Sequence, residues 1–377
     1  MLAFGLAETG ALAAAEENAE RAMAINHRDV WAVHAAASVL QMESRASEGC
    51  ALLQNSGRQA LEETAGPLWH RMAWHQGQFL LEWGNPHRAL RVADDLLARV
   101  RGTTATLPPL PLMDLTNLLW RLELRGGVFP GVERWAATAE AWRELATRRG
   151  EHTSHPGPPG QTLGALHVNA FQDLHELIAY TTLAAALEER EGARGQEGGQ
   201  GIGGGGVGHG GGGDGDGGGG GGTATTSAAD WAARAGGLLQ SMREYVAGAG
   251  AEAAGPDENV WVTEHLGLPL CEGFLAFVRG DFEGTVAALL PLRGHLGALG
   301  GSAPQRDLVE LTLLEAALRL HDESLARVLV AERIALRPTS GRAWEMHAEV
   351  MDRCGNQPAA YQARMNAYQL GIGQGGS

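Results

Sequence analysis

The feature that most constrains this fold is an almost unbroken series of helix-forming segments. Outside one glycine-rich stretch, alanine, leucine, glutamate and arginine dominate, and segments of 12–20 residues alternate with short breaks of glycine, proline, asparagine or aspartate. No segment shows the period-2 alternation of a half-buried strand. Pro67, Pro86 and Pro111 stand near predicted first turns, where an N–H group would have no partner within the helix. The sequence therefore predicts an all-α protein.

A repeat of about 34 residues relates several of the predicted helix pairs. In a tetratricopeptide unit, small residues at positions 8 and 20 let two helices approach closely, and proline near position 32 ends the pair. One register places Gly77 at position 8, Gly84 at the turn and Ala89 at position 20. Other registers are marked by Gly273, Gly280 and Thr285, and by Ala326, Pro338, Trp344, Gly355 and Ala360. Because one pair cannot bury its apolar face alone, we predict antiparallel helix pairs stacked as a divergent tetratricopeptide-repeat α-solenoid.

One segment cannot follow this helical pattern. Of the 55 glycines, 21 fall within residues 192–222, a run with few side chains to bury and much backbone entropy to lose. Some of it fits GxGxxG, but no strand precedes it and no helix directly follows, which excludes a phosphate loop. We predict that 1–190 and 224–370 are the N- and C-terminal parts of one solenoid, separated by a disordered insertion at 191–223 and followed by a flexible tail at 371–377.

The charge of the chain argues against several classes of partner. It has 29 basic residues, all of them arginine, and 44 acidic residues, which give a net charge of −15. Nucleic acids and anionic membranes both attract clustered positive charge, so we expect neither as a partner. Residues 177–187 form the longest nearly uncharged apolar stretch, far short of the ~20 residues of a membrane span. Three widely spaced cysteines fit no disulfide framework, and we expect a cytoplasmic protein.

Several blocks of the sequence resemble one known family. They are 22–26 (AMAIN), 68–75 (LWHRMAWH), 267–271 (GLPLC), 300–307 (GGSAPQRD) and 331–338 (AERIALRP). Together they resemble the tetratricopeptide repeat protein 38 family over most of the chain outside the glycine-rich insertion. The resemblance implies an α-helical repeat protein, further helical repeats upstream of Met1, and no established reaction. The chain departs from the family at Ser38, Leu40 and Gln41, where two histidines and a glutamate are expected.

Residues that match the family are also the candidates for binding a ligand or partner. They come from predicted helices across the whole chain: His34, His70, Trp74, His75, Asp114, Asp173, His175, Gln305, Arg306 and Asp307. Either they converge on the concave surface as a pocket for a ligand or a peptide terminus, or each caps a helix or satisfies a buried turn. Arg306 and Asp307 could likewise form a clamp for carboxylate or phosphate, or a structural pair at a helix start.

No pattern of catalytic or metal chemistry accompanies these residues. The sequence has no Gly-x-Ser-x-Gly elbow, and His152 and His155 lack the further ligands that zinc requires. We therefore predict no metal, no cofactor and no catalytic residue. The predicted function is a non-catalytic helical-repeat protein that binds a protein or peptide partner on its concave surface. The alternative is a small-molecule or enzymatic pocket built from the histidine, aspartate and arginine side chains.

Overall fold

A computed structural model describes residues 1–57, 68–102, 109–125, 130–152, 167, 169–199, 226–252 and 258–371. Within these residues the regular structure is helical and contains no strand, which confirms the predicted all-α class. Helices that follow one another along the chain contact each other. The largest hydrophobic core extends from Trp74 to Ala360, so both predicted parts of the chain contribute to it.

The helices divide into two sets on either side of the glycine-rich stretch. The first set is α1 (Leu2–Glu8), α2 (Leu12–Ile25), α3 (Val30–Met42), α4 (Ala46–Leu52), α5 (Trp69–Glu82), α6 (Pro86–Gly102), α7 (Pro109–Arg125), α8 (Val132–His152) and α9 (Ala170–Gly199). The second set is α10 (Ala228–Glu252), α11 (Glu258–Val262), α12 (Leu268–Val278), α13 (Phe282–Leu289), α14 (Ala303–Arg319), α15 (Glu323–Leu336), α16 (Gly341–Arg353) and α17 (Gln357–Gln369). Short π-helical segments follow α4 and α11, and a 3₁₀ segment, Leu290–Leu299, follows α13.

The boundary of the glycine-rich insertion differs from the predicted one. Helix α9 continues to Gly199, so residues 191–199 are helical although we predicted disorder from 191 onward. Glutamate, alanine, arginine and glutamine between the first glycines favour helix and allow this extension. Residues 200–223 of the predicted insertion lie outside the described residues. Of the predicted tail, Gly371 forms a turn and residues 372–377 lie outside the described residues.

Polar side chains in front of several helices determine where those helices begin. Asp29 accepts hydrogen bonds from the backbone N–H groups of Trp31 and Ala32 at the start of α3. At the start of α14, the backbone N–H of Ser302 donates to Gln305 Oε1 at 2.9 Å. Side chains accept hydrogen bonds from backbone N–H groups, as Asp29 does, at the starts of further helices, among them Asp281, Asp322, Ser340 and Asn356.

A left-handed residue recurs at the turn inside successive helix pairs. These turn residues, with φ between 57° and 81°, are Gly10, Ser44, Gly84, Gly280, His321 and Gly355. Ser44 follows Gly10 by 34 residues, and Gly355 follows His321 by 34 residues. Only glycine adopts this conformation without strain, so Ser44 and His321 are the two exceptions at this position.

Close helix contacts explain the small residues predicted at position 8. A Cβ atom added to Gly77 would lie 2.7 Å from Leu118 Cδ2, and one added to Gly273 would lie 2.6 Å from Leu289 Cδ2. Both leucines are completely buried, so they cannot easily move away. The residues predicted at position 20 are buried as well: Ala89, Thr285, Ala326 and Ala360.

The C-terminal helices also contact the N-terminal ones. Helix α14 packs against α7 and α3, and Thr339 Oγ1, beyond α15, donates to the backbone carbonyl of Glu43 at 2.5 Å. Ser340 Oγ donates to Glu82 Oε1 at 2.5 Å, at the end of α5. In a simple solenoid each repeat contacts only its neighbours. Here hydrogen bonds between residues more than 250 positions apart join the turn after α15 to the ends of α3 and α5.

The tryptophans mainly fill the core. Trp74, Trp120, Trp135 and Trp142 are almost completely buried, whereas Trp31 is exposed. The indole N–H of each of these four buried tryptophans has a partner, as a buried polar group requires; for example, Trp120 Nε1 donates to a threonine hydroxyl on α14 at 2.9 Å. The three cysteines are free thiols, as the sequence predicts.

The close approach of α12 and α13 can be tested with two glycine substitutions. We expect Gly273→Ala to destabilise the protein by about 1–2 kcal/mol, because the new methyl group would overlap Leu289 in a filled core. The matched control is Gly236→Ala in α10, where nothing lies within 4 Å of the added Cβ. That variant should gain up to about 1 kcal/mol from helix propensity. Urea unfolding of both variants measures the difference, and equal effects would contradict the close contact.

Candidate functional site

A buried carboxylate on α7 joins three helices at the centre of the protein. Asp114 accepts hydrogen bonds from His70 Nδ1 at 2.6 Å and from Arg71 Nη1 at 2.5 Å, both on α5. It also accepts one from Gln305 Nε2 on α14 at 2.8 Å. Burial opposes ionisation of Asp114, but the Arg71 guanidinium and the His70 hydrogen bond outweigh it and hold the pKa of Asp114 below its usual value.

A second layer of polar groups lies one turn further along α7. Asn117 Oδ1 accepts from Trp74 Nε1 at 3.1 Å, and Asn117 Nδ2 donates to the backbone carbonyl of Gln305 at 3.2 Å. His175 Nδ1 donates to the carbonyl of Phe171 at 2.6 Å, so His175 Nε2 can accept from Asn117 Nδ2 at 3.4 Å. Burial lowers the pKa of His175 to about 4. We call these two layers the central network: His70, Arg71, Trp74, Asp114, Asn117, His175 and Gln305.

The central network is closed to solvent. The exposed fraction is 2% for His70, 1% for Gln305 and 0% for Asp114 and His175. Their polar atoms are used to bond one helix to another. This geometry supports the structural interpretation for the five sequence candidates that it contains: His70, Trp74, Asp114, His175 and Gln305.

Asp307 is the centre of an ion cluster beside the central network. Arg333 donates to both carboxylate oxygens, at 2.8 and 2.9 Å, and Arg337 Nη2 lies 3.0 Å from Oδ1. Arg121 donates to Asp307 at 3.2 Å and to Asn117 at 3.0 Å, which links the cluster to the central network. Burial opposes ionisation of Asp307, but Arg333 and Arg337 outweigh it and hold its pKa well below the usual value.

Arg306 points away from its neighbour Asp307 and has different partners. Its guanidinium donates to the backbone carbonyls of Gly300 at 3.2 Å and Gly301 at 2.5 Å, and to Glu8 Oε2 at 3.1 Å. It therefore ties the loop before α14 to the end of α1. The two side chains do not act as one clamp.

His34 and His75 form a separate buried pair among aromatic rings. Their ring centroids are 5.3 Å apart, and Phe4 stacks on His34 at 5.2 Å. His75 Nδ1 lies 2.6 Å from Gln41 Oε1, so the glutamine that departs from the family supplies a partner here. Neither ring nitrogen of His34 has a hydrogen-bond partner. Burial, with a smaller contribution from Arg71, lowers the pKa of His34 to about 3 and that of His75 well below its usual value.

Asp173 belongs to a third group of residues, which the sequence did not reveal as a unit. Its Oδ2 lies 3.1 Å from His167 Nδ1, and His167 Nε2 lies 2.8 Å from Ser241 Oγ on α10. His167 is buried against the ring of Tyr245, whereas Ser241 is partly exposed. Asn259 Nδ2 donates to the carbonyl of His167 at 2.6 Å and fixes its backbone.

Asp307 itself lines two cavities. The larger, of about 230 Å³, lies between the 3₁₀ segment, α14 and α15, and we call it the α14–α15 cleft. The smaller, of about 30 Å³, lies between α5, α14, α15 and the turn after α3, and we call it the Gln78 cavity. Arg333 and Arg337 line both cavities, and in the sequence only block 331–338 marks them. No local sequence pattern marks Ser44 or Gln78 as site residues.

Known families and common site types give no further assignment. No family model matches the chain. Within the described ranges, no group of three or more His, Cys, Asp or Glu side chains is arranged to hold a metal ion. In that same part of the chain, no helix has both the length and the apolar composition needed to cross a bilayer.

The buried histidines make stability depend on pH. The pKa of His34 is about 3 and that of His175 about 4 in the folded protein, below the ordinary histidine value of 6.5. At a pH between the folded and the unfolded pKa of each histidine, the unfolded chain binds a proton that the folded protein does not. The free energy of unfolding that these histidines contribute is therefore fully present above pH 6.5 and is lost as the pH falls below it. We expect His34 alone to account for about 2 kcal/mol of the loss between pH 7 and pH 5.

Urea unfolding at the two pH values tests this expectation with a matched pair of variants. His34→Phe should reduce the loss by about 2 kcal/mol, because phenylalanine cannot be protonated in the unfolded chain. His27→Phe removes an exposed histidine and should leave the wild-type loss in place. An unchanged loss in His34→Phe would show that this histidine does not contribute.

Proposed function

We propose that this chain is a non-catalytic, tetratricopeptide-like repeat protein of the cytoplasm that binds a segment of a partner protein. The recurrent left-handed turns, two of them repeated after 34 residues, support the repeat type. Blocks 68–75 and 300–307, which carry the resemblance to the tetratricopeptide repeat protein 38 family, meet in the central network. The free thiols fit a reducing compartment.

The observation that carries the binding function is the α14–α15 cleft. Four leucines line it: Leu296, Leu314, Leu329 and Leu336. Leu336, at the end of α15, is 79% exposed, which is unusual for a large apolar side chain without a partner. A groove between helices with apolar walls and a few charged groups is a common geometry for holding a peptide segment.

The charges of the cleft indicate which kind of segment it would take. Four guanidinium groups and three carboxylates line it, so it carries a positive balance on a chain of net charge −15. A segment that combines apolar anchors with acidic residues would match both features. We propose this chemistry for the partner.

Peptide selection on the immobilised full chain tests the proposal. Peptides enriched from a random display library should carry apolar and acidic residues, and Leu336→Asp should weaken their binding about tenfold or more, because it places a carboxylate in the apolar wall. The matched control is Ile25→Asp, since Ile25 is 89% exposed and does not line the cleft.

Fluorescence anisotropy measures the affinity of each variant for the selected peptides, and circular dichroism verifies that each variant is folded. Retained affinity in Ile25→Asp together with lost affinity in Leu336→Asp supports the cleft. Equal affinity for both variants, or no enriched peptide at all, contradicts the proposal.

A second candidate function is hydrolysis, and it rests on Ser241, His167 and Asp173. The order of contacts, hydroxyl to Nε2 and Nδ1 to carboxylate, is the one in which histidine can remove a proton from serine and carboxylate can orient the histidine. An enzymatic pocket would therefore lie at Ser241, His167 and Asp173 and not in the buried central network.

A fluorophosphonate reagent separates this candidate from the first. If Ser241 is an activated nucleophile, the full chain should be labelled at Ser241 and labelling should be lost in His167→Asn. Ser227→Ala removes the serine that caps the same helix, so it should leave the labelling intact. Absence of label at Ser241, read by peptide mass spectrometry, would rule out the hydrolase.

A further inference from the structure

Three buried hydrogen-bond donors without partners line the Gln78 cavity. They are the hydroxyl of Ser44, the amide nitrogen of Gln78 and the Nε atom of Arg333. Gln78 is 5% exposed and Ser44 is 7% exposed, so these groups cannot turn to bulk solvent. Both terminal nitrogens of Arg333 are already used by Asp307, which leaves its Nε–H for another acceptor. Buried polar groups are normally paired, and a set of donors at one place calls for an acceptor.

The net positive charge of the residues that line the cavity also favours an anion. Arg121, Arg333 and Arg337 line it together with only two carboxylates, Glu82 and Asp307. Asp307 is shared by all three arginines, and Glu82 already accepts from the hydroxyl of Ser340. Burial, together with the positive charges of Arg333 and Arg337, lowers the pKa of Arg121 to about 10 despite Asp307. One added negative charge would balance the lining.

The size of the cavity favours a planar, two-oxygen anion. Its volume of about 30 Å³ is room for about two water-sized groups, as in the two oxygens of a carboxylate. Gln41, Glu82 and Arg337 are only partly buried, so the cavity reaches the surface and a carboxylate on a longer molecule can enter from there.

The left-handed backbone conformation of Ser44 is an independent observation that supports the site. Five other helix pairs have the same left-handed turn, and four of them use glycine there. At this position serine costs backbone strain that glycine would avoid, yet it places a hydroxyl at the cavity. His321 is the other residue that carries this strain, and it does not line the cavity.

We propose that the Gln78 cavity is a carboxylate-binding site, in which the Ser44 hydroxyl, the Gln78 amide and the Arg333 Nε–H donate to the two carboxylate oxygens. The carboxylate can belong to a free small acid or to the end of a peptide chain. Leu336 lines the α14–α15 cleft but not the Gln78 cavity, so Leu336→Asp should leave carboxylate binding in the Gln78 cavity unchanged.

Thermal unfolding of the full chain with sodium acetate, against sodium chloride at equal ionic strength, tests the site. Saturating acetate should raise Tm by about 2 °C or more, because it binds only the folded state. Ser44→Gly should keep or raise the Tm without acetate, since strain is relieved, and should lose most of the acetate-dependent shift. Gln78→Leu, which removes the amide donor at nearly the same volume, should lose the shift as well.

His321→Gly is the matched control, because it relieves the same strain in another helix pair and should retain the full shift. No acetate effect beyond that of chloride in the wild type would show that the cavity holds water only, and would overturn the proposal. A full shift in both Ser44→Gly and Gln78→Leu would also overturn it, since acetate would then bind elsewhere.

Comparison of two ligands identifies the source of the carboxylate. The probes are N-acetylglycylglycine and its C-terminal amide, measured beside acetate. Binding of the acid about tenfold tighter than acetate supports a chain terminus, and equal binding supports a free small acid. Equal binding of the amide and the acid would overturn the proposal, because the amide lacks the negative charge.

Discussion

The buried carboxylate of Asp114 is the constraint on which the rest of the structure depends. An ionised group without partners in the protein interior is strongly unfavourable, so α5 and α14 must both reach α7 to supply His70, Arg71 and Gln305. Gln305 is 191 residues away from Asp114 along the chain, and this hydrogen bond helps to fix α14 against α7. Asp307 lies half a turn beyond Gln305 on α14, where it pairs with Arg121, Arg333 and Arg337.

The groups that stabilise the fold lie apart from the proposed binding sites. The polar side chains of the central network hold helices together. Burial keeps the pKa of His175 low, so its ring is neutral. The proposed binding sites lie at the edge of the Asp307 cluster, where Arg333 lines both the cleft and the Gln78 cavity.

Local patterns predicted the helices and their turns well. Gly84, Gly280 and Gly355 stand at left-handed turns, and Gly77 and Gly273 stand where two helices touch, as the 34-residue register requires. The candidate site was less predictable: nine of the ten residues fall into the central network, the Asp307 cluster, the His34–His75 pair and the Asp173 group, and Arg306 instead bonds to Glu8 and the loop before α14. Helix periodicity shows which side of a helix is buried, but it does not show which buried side chains from distant helices meet.

By itself, the sequence determined the all-helical class, the start of each capped helix and the positions that must be small, because helix propensity, capping and turn geometry depend on residues close together in the chain. Only the tertiary structure decided that Asp114 bonds to Gln305 and that Ser44, Gln78 and Arg333 share one cavity. Those pairings depend on how α3, α5, α7, α14 and α15 pack, and charge and hydrogen bonding act over distances that exist only after the chain has folded.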